Sequence, residues 1–287
     1  MGIAAGMPEL PEVEVIRRDL QAEVVGRKIA RAQVRDVPNA LRVIRRHASV
    51  AEFEAPLAGM TNSRLDRRGK YLLFELDDQL VLVVHLGMSG QLLLSEQSRP
   101  IARHTHVVVD FAGGGQLRYV DPRTFGQMFV TERSELGEIP ELAGLGRDPI
   151  AHDVPVKYLS EAFQRRKTRV KPLLMDQGFL CGLGNIYSDE VLFLSGIRHD
   201  RATSAVSDEE IRRLHEAIPQ VLNESIEHRG SSIADEQYRD PYGAVGSYQT
   251  RLRVYGRQAQ PCLRCGTPIE RARWSNRSTF YCPQCQS

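Results

Sequence analysis

The stretch CLRCGTPIERARWSNRSTFYCPQC, residues 262–285, carries the clearest structural signal of the chain. Two Cys-x2-Cys pairs are separated by sixteen residues, which is the spacing of a zinc ribbon. Four thiolates at the corners of a tetrahedron leave no position for water, so such a metal stabilises the fold and takes no part in chemistry. The sequence therefore predicts one structural Zn2+ in a finger over residues 251–287. Its ligands are Cys262, Cys265, Cys282 and Cys285.

The cysteine count also bears on the redox state of the chain. Five is an odd number, which argues against a disulfide framework. Two disulfides or a redox dithiol are the alternative use of the four paired cysteines, but a cytosolic chain keeps its thiols reduced. The fifth residue, Cys181, lies in a Gly-rich helical context, and we expect it to be packed in the interior instead of acting as a nucleophile.

Length and hydropathy describe an ordinary globular chain. Its 287 residues, 41% apolar and 26% charged, suffice for about two domains with hydrophobic cores. The longest apolar run, residues 80–84, is far shorter than a membrane-spanning helix requires. The first ten residues lack the basic and apolar regions of a secretion signal, so we expect a cytoplasmic protein.

The charge is unevenly distributed, although the net charge is only +2. Residues 251–287 contain seven arginines and a single acid, Glu270, which gives 7 − 1 = +6. Further basic clusters occur at residues 64–70 and 165–171. A solvated surface explains any one of these clusters, but three in one chain favour a face that binds a polyanion.

The spacing of apolar residues changes near the middle of the chain from a strand-like to a helical period, which predicts an α+β multidomain fold. Val13, Ile16, Leu20 and Val24 recur at helical spacing. Alternating strand-like segments of a β-sandwich then follow, and the second half has helical periods with a capping box at Ser207 and Glu210. The predicted strands are 28–35, 71–76, 79–85, 91–94, 106–111, 116–120 and 127–131, with a glycine hairpin tip at 113–115; the predicted helices are 156–165, 170–177, 186–195 and 208–227.

We therefore divide the chain into consecutive segments. Residues 7–134 form a sandwich domain with a flanking helix, 135–155 a linker, 156–234 a helical domain, 235–250 a loop and 251–287 a β-hairpin zinc finger. Within the helical domain, the turn Gly182 to Tyr187 has glycines that would let backbone amides approach a phosphate at a helix start. Simple chain reversal is the alternative for that turn.

Six motifs in order, followed by the four-cysteine finger, resemble the formamidopyrimidine-DNA glycosylases. They are MPELPEVE at 7–14, KYLL at 70–73, HLGMSG at 85–90, DPRTFG at 121–126, GNIY at 184–187 and VYGR at 254–257. The resemblance runs from Met7 to the last residue. It implies a β-sandwich, a helix-two-turn-helix domain and a zinc finger in a bacterial base-excision-repair enzyme. Its partner would be double-stranded DNA containing oxidised bases or abasic sites, bound by a monomer.

The resemblance also implies a mechanism. Pro8 would become the amino terminus, where its imino nitrogen attacks the sugar of an oxidised purine nucleotide, releases the base and forms an iminium, a Schiff base. Terminal amines titrate near ~8, so a neutral fraction is available. The iminium allows β,δ-elimination of both phosphates, which adds DNA-(apurinic or apyrimidinic site) lyase activity to base excision. Glu9 would protonate the sugar ring oxygen, Lys70 would contact phosphate and donate a proton, and Arg277 would clamp the flanking phosphates.

The resemblance also implies which other residues contact the DNA. Met88, Arg123 and Phe125 would fill the space left by the everted nucleotide, although Thr124 departs from the arginine common in the family. Backbone contacts are expected from His104, Arg165 and Asn185. The loop 235–250 would cover the everted base.

Two alternatives stay open. Residues Met1–Gly6 precede Met7, and while they remain attached the Pro8 nitrogen is an amide without a nucleophilic lone pair. Translation from Met7 would remove this obstacle, whereas a chain that retains the extension would be a non-catalytic zinc-ribbon DNA-binding protein. The other alternative is a glycosylase of the endonuclease VIII type, which prefers oxidised pyrimidines. Leu10 and the complete set Met88, Arg123, Phe125 argue against it.

Overall fold

The computed structural model describes residues 7–233, 238–274 and 277–287. The extension Met1–Gly6 lies outside the described residues, as do residues 235–237 at the start of the predicted loop. Within the described part of the chain, no helix has both the length and the apolar character to cross a membrane.

The first half of the chain folds into two antiparallel four-stranded sheets whose facing surfaces enclose one apolar core. The strands are β1 Ile29–Val34, β2 Asn62–Arg68, β3 Tyr71–Leu76, β4 Leu80–His85, β5 Gln91–Ser95, β6 Thr105–Phe111, β7 Gln116–Val120 and β8 Gln127–Glu132. The first sheet has the order β1-β6-β7-β5 and the second the order β2-β3-β4-β8. Burial alternates along β3, which has one face in the core, whereas the continuous apolar runs of β4 and β6 are buried on both faces.

Strand β2 was not predicted, because charged residues dominate it. Its sequence is NSRLDRR, and Leu65, which pairs with Phe74 of β3, is the only large apolar residue in it. Arg67, counted above in a basic surface cluster, has a side chain only 2% exposed. It forms ion pairs with Glu14 and Asp148, so that cluster contributes less to the surface than the sequence indicated.

Helix α1, Leu10–Val24, lies between the two halves of the molecule. Val13, Ile16 and Leu20 pack in the sandwich core. Leu10 and Val15, on the other side of the helix, pack in the core of the helical domain. The residues immediately before α1 are therefore held at the junction of the two domains.

The second half of the chain is helical, as predicted. The capping box is present, since Glu210 N donates to Ser207 Oγ (3.3 Å) and Ser207 N donates to Glu210 Oε2 (2.8 Å). The helix predicted over residues 170–177 instead ends at Leu174. Just beyond its end, Asp176 accepts a hydrogen bond from Gly178 N and starts a turn. The helices of this half are α5 Val156–Arg165, α6 Val170–Leu174, α7 Asn185–Ser195 and α8 Asp208–Glu227; the short helices α2 Ala40–Val43, α3 Val50–Glu54 and α4 Pro140–Ala143, which come earlier in the chain, were not predicted.

The finger is a β-hairpin of β9, Glu270–Trp274, and β10, Arg277–Tyr281, and it is attached to the helical domain. Phe280 packs in the helical core. Lys171, predicted in a basic cluster, is instead buried, and its Nζ donates to Asp189 Oδ1 (2.6 Å) and Thr279 Oγ1 (2.9 Å). Asp189 Oδ2 accepts from Phe280 N (2.9 Å), so α6, α7 and the hairpin are joined by one polar network. The predicted fold class is confirmed.

Candidate active site

A cleft of about 560 Å³ lies where the sandwich, the helical domain and the finger meet. Several side chains predicted from widely separated motifs line it together. They are Glu9, Lys70, Met88, Asn185 and Arg277. Pro8 precedes Glu9 and is buried. The fold thus brings together the amino-terminal, sandwich, helical and finger residues that the sequence placed in one site.

The Glu9 carboxylate is bound by the backbone at the start of α7. It accepts hydrogen bonds from Gly184 N (2.8 Å), Ile186 N (3.0 Å) and Tyr187 N (3.4 Å). Burial raises the pKa of Glu9, while Lys70 and the three amides oppose the shift. The expectation that this Gly-rich turn approaches a phosphate is therefore corrected, because these amides bind a carboxylate of the same chain.

Gly184 makes the binding of Glu9 possible because it has no side chain. A Cβ at this position would lie 2.4 Å from both Glu9 Cδ and Glu9 Oε1. Such a contact forces the carboxylate away from the helix start, since the helix and the turn are both buried.

Replacing Gly184 by Ala is expected to reduce at least ten-fold the base release that the family resemblance implies, and to cost about 1–3 kcal/mol of stability, as overpacking does. Single-turnover release of an oxidised purine, the substrate class that the resemblance implies, and thermal unfolding measure these two effects. Gly137→Ala is the matched control, because a Cβ there meets nothing within 4 Å. Full excision by the Gly184 variant would show that the position of Glu9 does not govern the reaction.

The first turn of α1 fixes the residues that precede it. Glu9 N donates to Glu12 Oε2 (2.9 Å), and Glu12 Oε1 accepts from Ser231 N (2.8 Å) and from the hydroxyl of Tyr187. Burial raises the pKa of Glu12 to about 7. This network holds the backbone beside Pro8 from both domains.

Lys70 occupies the turn between β2 and β3 and is only 6% exposed, so it is not the solvated strand lysine that the sequence also allowed. Burial lowers the pKa of Lys70, while the charges of Glu9 and Glu12 raise it. The turn is held by Asp148, which accepts from Gly69 N (3.1 Å) and pairs with Arg67. A buried ammonium facing the cleft suits both a phosphate contact and proton transfer.

His85 and Tyr71 also line the cleft, although the sequence predicted no role for them. Their rings lie 4.6 Å apart. Burial lowers the pKa of His85 to about 4, so the imidazole is neutral at pH 7. Its Nδ1 accepts from Gly87 N (3.2 Å), which leaves the proton on Nε2 as a donor. The position of His85 at the head of the HLGMSG motif was the available signal.

Met88, Arg123 and Phe125, the side chains predicted to insert into DNA, lie on the loops 86–90 and 121–126. Buried Asp121 holds these two loops together. Asp121 accepts from Gly126 N (2.9 Å), Arg123 N (3.2 Å) and Ser89 Oγ (2.5 Å). The loops touch at Gly87, which has φ +61° and where a Cβ would lie 2.4 Å from Gly126 N.

Phe125 is 53% exposed, which excludes the sandwich-core interpretation of this residue. The Arg123 guanidinium lies 5.0 Å from the centre of its ring. Met88 is half-buried and lines the cleft. The three side chains therefore lie on adjoining loops at one end of the sandwich.

The remaining predicted DNA contacts differ in position. His104 lines a separate depression with Pro122 and Thr124, and Arg165 is exposed at the end of α5, so neither lines the cleft. Asn185 lies in the cleft, and its Nδ2 donates to Ser278 O (3.0 Å) and Tyr255 OH (3.3 Å). Asn185 thus ties the finger hairpin to α7.

The four finger cysteines converge, with all Sγ atoms within 4.8 Å of one another. The Sγ atoms of Cys262 and Cys285 are 3.9 Å apart, and those of Cys265 and Cys282 are 3.5 Å apart. Tetrahedral Zn2+ with Zn–S bonds of about 2.3 Å requires S–S separations of about 3.8 Å, so this donor set fits the metal. By contrast, burial raises the pKa of the Cys181 thiol to about 12, which agrees with a packed, unreactive side chain.

Three family models match the chain in succession. They are the formamidopyrimidine-DNA glycosylase N-terminal domain at residues 7–128, the H2TH domain of the same enzymes at residues 145–237, and a zinc finger found in formamidopyrimidine-DNA glycosylases and isoleucyl-tRNA synthetases at residues 259–287. The last match and the thiolate geometry confirm the predicted structural zinc finger.

Curated relatives and solved structures agree with these matches. A formamidopyrimidine-DNA glycosylase of Herpetosiphon aurantiacus is 43% identical over 98% of this chain and 100% of its own length. A mutant form of the Lactococcus lactis enzyme, in complex with Fapy-dG-containing DNA, superposes with a TM-score of 0.89 at 34% identity, covering 98% of this chain and 100% of that one. The Thermus thermophilus enzyme has a TM-score of 0.85 at 38% identity, covering 97% and 98% of the two chains.

Proposed function

This chain belongs to the formamidopyrimidine-DNA glycosylase family, and we propose that it excises oxidised purines from duplex DNA through a Schiff base on Pro8 and then cleaves the strand. The observation that carries the proposal is the position of Glu9. Its carboxylate is held by three amides at the start of α7, directly beside Pro8 and in the same cleft as Lys70. Solved relatives in complex with Fapy-dG, abasic-site and 8-oxoguanine DNA support this substrate class.

The first step joins the protein to the sugar. The lone pair of the Pro8 nitrogen, free after removal of Met7, forms a bond to C1′, and the base leaves with the electrons of the glycosidic bond. Glu9 gives its proton to the ring oxygen as the sugar opens, and burial favours this role because it raises the pKa of the Glu9 carboxyl group. The nitrogen loses its proton to the departing base and the C1′–O4′ bond breaks. The product is an iminium between Pro8 and the opened sugar.

Strand cleavage follows from the same intermediate. The iminium withdraws electrons from C2′, so loss of a C2′ proton expels the 3′ phosphate, and a second elimination expels the 5′ phosphate. Lys70 and Arg277 line the cleft, where their charges stabilise the departing phosphates. Water then hydrolyses the iminium and restores the Pro8 amine.

The surrounding residues bind and deform the DNA. Eversion of a nucleotide costs a few kcal/mol of unstacking, which inserted side chains offset. Exposed Phe125, with Arg123 over its ring and Met88 at the cleft, fills the vacated position. His104, Arg165 and Asn185 contact backbone phosphates, and residues 235–250 cover the everted base. A monomer suffices, because single lesions need no symmetric half-sites.

The proposal is tested by comparing lesions on one duplex sequence with a chain that begins at Pro8. We expect 8-oxoguanine and formamidopyrimidine to be released faster than thymine glycol, with products ending in phosphate on both sides of the gap. Faster release of thymine glycol would assign the chain to the endonuclease VIII type. Base release without strand cleavage would contradict the lyase step.

A further inference from the structure

Trp274, the only tryptophan of the chain, lies at the end of β9 and is 41% exposed. In the hairpin register it pairs directly with Arg277. Side chains of directly paired residues project from the same face of an antiparallel hairpin. The indole is therefore on the face of the finger that carries the phosphate-binding arginine of the proposed site.

A second, smaller cavity of about 190 Å³ lies at this face of the finger. Trp274, Lys171 and Asp176 line it, and it shares Met175 and Arg277 with the active-site cleft. A phosphate bound at Arg277 would therefore border this cavity as well as the cleft.

Arg169, immediately before α6, supplies a cation to the same place. Its guanidinium carbon lies 4.3 Å from the centre of the Trp274 ring. Arg169 is exposed and forms no ion pair with any carboxylate of the described residues. A cation over one part of the indole orients the ring and makes the local potential positive. An exposed aromatic ring combined with unpaired cations is the chemistry by which proteins bind nucleotides of a single strand.

We propose that Trp274 and Arg169 form a subsite for the nucleotide that adjoins the everted one, across the phosphate held by Arg277. The indole packs against the deoxyribose of that nucleotide, and Arg169 attracts the following phosphate. Because the sugar and the phosphate are the same in every nucleotide, the contact does not depend on sequence. The inference rests on the proposed function, since it assumes that Arg277 binds the damaged strand.

Intrinsic fluorescence tests this subsite directly, because all tryptophan emission comes from Trp274. The probe is a duplex with a tetrahydrofuran abasic analogue, titrated into the zinc-loaded full chain while fluorescence anisotropy of a dye on the DNA reports binding. We expect the tryptophan emission to be quenched in proportion to complex formation. Unchanged emission at saturation of the anisotropy signal would overturn the proposal.

Substitutions separate the nucleotide contact from a structural role of the ring. Trp274→Leu is expected to weaken binding of the analogue duplex about ten-fold, whereas Trp274→Phe stays within about three-fold of the parent. Leu263→Ala is the control, because Leu263 is an exposed apolar residue of the finger outside this cavity, 68% exposed. Equal weakening in both tryptophan variants together with loss of zinc would assign Trp274 to finger stability and overturn the proposal.

Failure of the subsite can be distinguished from failure of the proposed function. Borohydride reduction of the unsubstituted chain, begun at Pro8, with a natural abasic-site duplex tests the function alone. An adduct together with unchanged tryptophan emission refutes only the subsite. Absence of the adduct together with quenching refutes the Schiff base, and the nucleotide contact at Trp274 then stands by itself.

Discussion

Replacing Glu9 by Gln is expected to abolish base release while leaving duplex affinity nearly intact. A glutamine cannot protonate the sugar ring oxygen, and general acid catalysis contributes about 10²–10⁴-fold to such a step. The amide group also places a donor against one of the backbone N–H groups that bind the carboxylate. We therefore expect a local stability loss of about 1–3 kcal/mol in addition to the catalytic effect.

Two measurements distinguish this catalytic role from misfolding. The Glu9 variant should release no 8-oxoguanine under single-turnover conditions, yet it should still form a reducible adduct with a preformed abasic site, whose open aldehyde needs no ring protonation. Glu141→Gln is the control, because Glu141 also borders the cleft but pairs with Arg46 and is about half exposed. Retained excision by the Glu9 variant would remove Glu9 from the mechanism.

The second large effect concerns the finger. Cys282→Ser is expected to lose the bound zinc and to weaken duplex binding at least ten-fold. Structural zinc contributes about 10–16 kcal/mol to the folding of finger peptides, so the hairpin cannot keep its geometry without it. Arg277 then no longer faces the cleft, and a charge-assisted hydrogen bond to phosphate is worth about 1.5–3 kcal/mol.

Metal analysis and DNA affinity measured on the same preparations test this expectation. Cys181→Ser is the matched control, because Cys181 is a buried thiol outside the cluster and its loss should leave one zinc per chain. Unchanged zinc content in the Cys282 variant would contradict the ligand assignment. Loss of zinc with unchanged affinity would show that the finger does not position Arg277 on the DNA.

Local signals in the sequence accounted for much of the fold. The four-cysteine spacing predicted the finger because metal geometry depends on short intervals along the chain. Segments that are β-branched or alternate between apolar and polar residues predicted seven of the eight sandwich strands, and the capping box located the start of α8. Strand β2 escaped prediction because its charged residues have partners far away in sequence, as Arg67 has in Asp148.

Contacts between residues far apart in sequence were also missed at the candidate site. Family motifs predicted Glu9 and Lys70 as candidate site residues, but no pattern within either motif shows that Glu9 binds amides about 175 residues further along the chain. The Gly-rich turn was interpreted as a phosphate contact for that reason. Arg67 and Lys171 were likewise counted as surface cations, because burial with a carboxylate partner depends on tertiary contacts. His85 was overlooked since a single histidine carries no periodic signal.

The central claim is that the imino group of Pro8 is the nucleophile. The direct measurement is borohydride reduction with an abasic-site duplex, followed by intact-mass analysis, on two forms of the protein: one beginning at Pro8 and one retaining Met1–Gly6. We predict a covalent adduct on the amino-terminal proline of the first form and none on the second. An equal adduct, or equal strand cleavage, by the form that retains the six residues would contradict the mechanism and require another nucleophile.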